Sequence, residues 1–94
     1  MEVRYHVDPE TGQPHIYVHG VTEADVEYVL SHPGEDRPGR DNSRHALGQT
    51  QTGRYLRVIF VPDEDSKSAF VVTAYDLQGK PLQAYRRRQR RRRK

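Results

Sequence analysis

Apolar and polar positions alternate with a period of two in four stretches of the chain, and a period of two sends successive side chains to opposite faces of a strand. The clearest lies between Ser43 and Asp76. Leu56, Val58 and Phe60 alternate there with Tyr55, Arg57, Ile59 and Val61; Phe70, Val72 and Ala74 alternate with Val71, Thr73 and Tyr75. The pattern predicts strands over Ser43–Gln51, Arg54–Val61 and Ala69–Asp76. A Gln51-Thr52-Gly53 turn joins the first two, with positive φ at Gly53, and an acidic loop from Pro62 to Ser68 joins the last two. One face of this meander is core. The other is mixed, and carries Tyr55, Arg57, Thr73 and Tyr75.

The N-terminal half combines both periods. Val3, Tyr5 and Val7 alternate over Glu2–Val7, a first strand ended by the turn-rich run from Asp8 to Gly12. Pro14 suits the first position of a short helix, His15–His19, which Gly20 stops. A second helix opens with Thr22 as N-cap and Asp25 three residues on, a capping-box pattern, while Val21 can close on Val26. Val26, Val29 and Leu30 form its apolar stripe, and it ends near Ser31. Residues 33–43 hold Pro, Gly, Asp and Asn with nothing to bury, so they read as a long exposed loop, a candidate lid or partner-contact segment. Pro81 can start a last helix with Leu82 and Tyr85 as its apolar contact. The fold expected is α+β: a four-stranded antiparallel sheet (a strand, one or two helices, a three-stranded meander) followed by a C-terminal basic helix or tail. Residues 1–85 form a single domain and residues 86–94 an Arg-rich tail.

Charge adds what periodicity cannot. Of 16 Lys and Arg, eight fall between Arg86 and Lys94, which leaves 8 bases against 13 acids, or −5, in the rest of the chain. An acidic body does not draw phosphates by its overall field, so nucleic-acid affinity has to come from the basic end or from a local patch. The candidates there are Arg86, Arg87, Arg88, Arg90, Arg91, Arg92, Arg93 and Lys94. The same run also suits a solubilising end, docking on an acidic surface or a localisation segment. The chain has no cysteine, which excludes disulfides and thiolate metal sites and points to a reducing compartment. With no long apolar run and no leader pattern, a cytoplasmic protein without membrane attachment is expected.

Candidate chemistry concentrates on the mixed face. Cleavage of RNA without a metal needs cations for the extra charge on phosphorus and groups to move two protons. Arg57 and Arg44 suit the first task, Arg54 is a further phosphate contact, and His45, His15, Tyr75 or Tyr85 could serve the second. A solvated face with the Arg57 stem packed beside Tyr55 accounts for the pattern equally well. His15 and His19 stand four apart, a metal-ligand spacing, but lack a third ligand nearby, and a histidine in the last turn also suits the negative helix end. No metal or cofactor is expected.

The succession PHIYVHGVTEADVEYVL, a polar loop, SRHALGQTQTGRYLRVIFVP, FVVTAYD and a basic end resembles the BrnT family of ribonuclease toxins over roughly residues 5–88. His19-Gly20-Val21, Arg44 before Gly48, and Gly53-Arg54 carry the resemblance. It implies a RelE-type microbial ribonuclease fold, a metal-independent endoribonuclease activity, and a cognate antitoxin as partner, with Arg44 and Arg54 or Arg57 holding phosphate. The family places an arginine where this chain has Tyr75, after Thr73-Ala74. The alternative function is a catalytically silent protein that binds RNA or DNA through its arginine-rich end.

Overall fold

A computed structural model describes residues 2–65 and 67–92. Strand β1 (Glu2–Tyr5) is followed by a 3-10 segment (His15–His19), helix α1 (Glu23–Ser31), strands β2 (Glu35–Pro38), β3 (Arg44–Gln49), β4 (Tyr55–Pro62) and β5 (Ser68–Asp76), and helix α2 (Gly79–Arg92). The α+β class holds, but the sheet has five strands in the order β1-β5-β4-β3-β2 and is mixed, not four-stranded and antiparallel.

Two physical causes account for the difference. The crossover through the 3-10 segment and α1 returns the chain so that β1 lies parallel to β5, Glu2 opposite Ser68 and Tyr5 opposite Val71. The fifth strand comes from the stretch expected to be a loop. Asp41 and Asn42 adopt positive φ (54° and 65°), and Ser43 N–H donates to the Arg40 carbonyl at 2.9 Å, a tight primed turn. That turn folds Glu35–Pro38 back onto β3, where backbone pairing forms a strand that no hydrophobic pattern announces. Its Pro38 is tolerated because β2 is an edge.

The main core lies between the sheet and α1. Val26 and Val29 are fully buried against Ala46, Leu56, Val58, Val71 and Ala74, with Ile16 of the 3-10 segment and Val21 beside them. Both halves of the capping box form: Thr22 Oγ1 accepts from Asp25 N–H, and the Asp25 carboxylate accepts from Thr22 N–H. In β1 only Val3 and Tyr5 reach this core, whereas Val7 is exposed and forms a lone bridge to Pro14.

Strand β5 departs from simple alternation. Ile59 pairs with Thr73 but Phe60 pairs with Val71, so Val72 is an unmatched residue, a β-bulge. The inward set is therefore Ala69, Val71 and Ala74 rather than Phe70, Val72 and Ala74. Across the meander, Tyr75 sits directly opposite Arg57 and shares its face. A second, smaller cluster on that face joins Leu47, Leu77 and Tyr85, with Tyr55 and Leu82 at its margin. Helix α2 covers it and continues through the arginines to Arg92.

Candidate nucleic-acid interface

The mixed face is built by register. Arg57 stands between Leu47 on β3 and Tyr75 on β5, and His45 lies two pairs further along, on the same face. Arg57 Nη1 is 3.1 Å from His45 Nδ1. A guanidinium only donates, so Nδ1 accepts and the ring proton sits on Nε2. Burial, helped by the Arg57 charge, lowers the His45 pKa from its ordinary value. His45 is thus a neutral acceptor that fixes the direction of Arg57. Beside them a shallow depression of about 340 Å³ is lined by Arg57, Tyr75, Asp76, Leu77, Gln78 and Pro81. The His19 ring meets Tyr75 edge-on at 5.9 Å, and the Thr73 hydroxyl, buried in the same face, has no hydrogen-bond partner among the described residues.

Arg44 and Arg54 do not join this group. Arg44 pairs with the core residue Phe60, which places it on the opposite face from Arg57, and its Nε donates to Asp36 at 2.6 Å. The combination of Arg44 with Arg57 is excluded by that parity. Arg54 is a clamp. Its Nε meets Asp76 at 2.6 Å, and its terminal nitrogens donate to the carbonyls of Gly20 at 2.6 Å and His19 at 2.9 Å. These bonds tie the end of the 3-10 segment to the end of β5. The Arg54 hydrogen bond also holds the Asp76 carboxyl below its usual range. His15 is drawn off as well, with Nδ1 3.0 Å from Asp8, while its ring contacts His6 and His19. No group of three or more metal-ligating side chains occurs among the described residues.

Helix α2 divides its arginines between two tasks. Tyr85 is buried, and Arg88 makes two bonds to Glu35, at 2.5 and 2.9 Å. Gln89 and Arg92 both donate to the Gly34 carbonyl, at 3.2 and 2.8 Å. The Arg88 hydrogen bond lowers the Glu35 pKa, while burial, with the nearby Glu35 charge, raises that of Tyr85. Arg86, Arg87, Arg90 and Arg91 remain exposed and have no ion-pair partner among the described residues. Their spacing puts Arg86 with Arg90 and Arg87 with Arg91 one helical turn apart. Arg93 and Lys94 lie outside the described residues.

Between α2 and the β3–β4 end runs a groove of about 280 Å³ lined by Gln49, Tyr55, Tyr85, Arg86, Gln89 and Arg90. The Arg86 guanidinium lies 5.8 Å from the centre of the Tyr55 ring. Sequence reasoning did not single out Gln49 or Gln89; the one available cue was the glutamine that interrupts the arginine run.

Residues 16–76 match a family described as a domain of unknown function (DUF4258), a span that includes α1, β2, β3, β4 and β5 and leaves out β1 and α2. No curated protein and no solved structure matches the chain. No helix among the described residues is long and apolar enough to cross a membrane.

Proposed function

We propose that this chain, which belongs to the DUF4258 family, binds single-stranded RNA along α2 and the adjoining groove. The observation that carries the reading is the exposed row of Arg86, Arg87, Arg90 and Arg91 on a helix already docked by Arg88, Gln89 and Arg92. The docking contacts hold the row in place before any ligand arrives, which lowers the ordering cost of binding. An acidic body confines the attraction to this strip. Tyr55 and Arg86 beside the groove offer an unstacked base a surface to lie on, an arrangement that suits single strands better than a duplex.

The test is a fluorescence-anisotropy titration of labelled oligouridylate at several salt concentrations. Four phosphate contacts give a slope of log K against log salt of roughly −3. Replacing Arg86, Arg87, Arg90 and Arg91 together by Gln flattens that slope. An unchanged slope in this variant, or no binding by the wild-type chain, refutes the reading.

A second reading is metal-independent RNA cleavage, in keeping with the resemblance to BrnT-type toxins, and the meeting of His45, Arg57 and Tyr75 favours it. Arg57 would carry the charge developing on the phosphate, held in direction by His45, and Tyr75 beside His19 would move a proton. The partner expected in that case is a cognate antitoxin. RNA cleavage that persists in a chelator and disappears with Arg57→Ala supports it; intact RNA, or an Arg57→Ala variant as active as the wild type, removes it.

A further inference from the structure

The groove beside α2 carries more information than charge. Gln49 Nε2 donates to the Gly53 carbonyl at 3.1 Å, and Gln89 Nε2 donates to the Gly34 carbonyl at 3.2 Å. A carbonyl oxygen only accepts, so neither carboxamide can be turned end for end without losing its bond. The other end of each amide is therefore an acceptor, Oε1. Arg86 and Arg90 line the same groove and only donate. The Tyr55 ring lines it too, with the Arg86 guanidinium over its face, 5.8 Å from the ring centre. The groove thus joins an Arg86–Tyr55 stack, two carboxamides each held in one orientation and two guanidinium donors in a volume of about 280 Å³, near the small end of ligand clefts.

We infer that this groove is a base-recognition subsite that prefers guanine, an inference that rests on the RNA-binding reading above. Guanine combines the N1 and N2 donors, which suit two amide oxygens, with the O6 and N7 acceptors, which are the most frequent target of arginine. Uracil has one ring donor. Adenine presents an amino group but no O6, and cytosine has a single amino donor. Only guanine engages the acceptors and the guanidinium donors with its full edge.

The experiment compares oligouridylate with the same oligomer carrying one central guanosine or one central adenosine, by anisotropy at fixed salt. The wild-type chain is expected to bind the guanosine oligomer roughly tenfold more tightly than the other two. Gln49 is exposed, so Gln49→Ala leaves the fold intact by circular dichroism; it removes this preference, bringing the guanosine oligomer to the same affinity as oligouridylate. Tyr55→Leu, which keeps an apolar contact but no ring, also loses the preference. Equal affinity of the wild type for all three oligomers overturns the subsite and leaves the RNA-binding reading standing. Absence of binding to any of them overturns both. A guanosine preference that survives in both variants places recognition elsewhere and overturns the assignment.

Discussion

Gly34 is the point at which α2 meets the body, and adding one methyl group there tests how the helix is held. Its N–H donates to Leu47 at 2.8 Å, and its carbonyl takes both Gln89 and Arg92. A Cβ on Gly34 would overlap the Tyr85 hydroxyl and come within 2.9 Å of the ring carbon that bears it. Tyr85 is 5 % exposed and packs on Leu47 and Leu77, so it cannot swing aside freely. Two responses compete. Keeping the helix in place forces an overpacked contact, which costs about 1–3 kcal/mol. Undocking it forfeits the burial of Tyr85, about 1.5–3 kcal/mol, and the charged bonds of Arg88 to Glu35, about 1.5–3 kcal/mol. The first is cheaper, so Gly34→Ala should cost about 2 kcal/mol and lower Tm by roughly 8–16 °C in a domain of this size. Circular dichroism melts and urea titrations measure it. Tyr85→Phe removes the atom in the worst overlap, so the double variant should recover about 1 kcal/mol as a coupling energy. A Gly34→Ala protein as stable as wild type, or a double variant showing no recovery, would refute this picture of the contact.

Other expectations follow from single contacts. Thr22→Ala removes one side of the capping box and should destabilise by about 1 kcal/mol in urea titration. Arg54→Met leaves Asp76 and two backbone carbonyls without their donor and should cost about 2 kcal/mol, with hydrogen exchange rising first at Tyr17, Gly20 and Val21. Glu35 and Asp76 both have carboxyl pKa values lowered in the folded state by arginine partners. Their stabilisation is therefore complete above the unfolded carboxyl values near pH ~4 and is lost as pH falls through the folded ones. Stability measured across the acid range should drop less steeply in Glu35→Gln, from a lower starting value at neutral pH.

Local chemistry was legible where a residue acts on its own neighbourhood. The cap at Thr22, the stop at Gly20 and the outward pairing of Arg57 with Tyr75 all follow from spacing along short segments. Long-range decisions were not. Nothing in Glu2–Tyr5 states that its partner is parallel, because a period of two is the same in either direction. Strand β2 has the polar sequence EDRP and exists because the Asp41-Asn42 turn and β3 impose it. The bulge at Val72 escaped because alternation cannot reveal an unmatched residue when both phases are apolar. For the candidate site, the sequence supplied the arginines but not their partners. Arg44, Arg54 and Arg88 are engaged by Asp36, Asp76 and Glu35, and those pairings arise only in three dimensions.

The parallel seam between β1 and β5 has a kinetic corollary. Residues Glu2–Tyr5 must wait for Ser68–Val71 before they find a strand to pair with, so while a ribosome is still making the second half, β1 lacks the sheet edge that it completes. Pairing between such distant segments is slow to close, and a newly made molecule will tend to assemble the hairpins from Glu35 to Asp76 first and recruit its own beginning last.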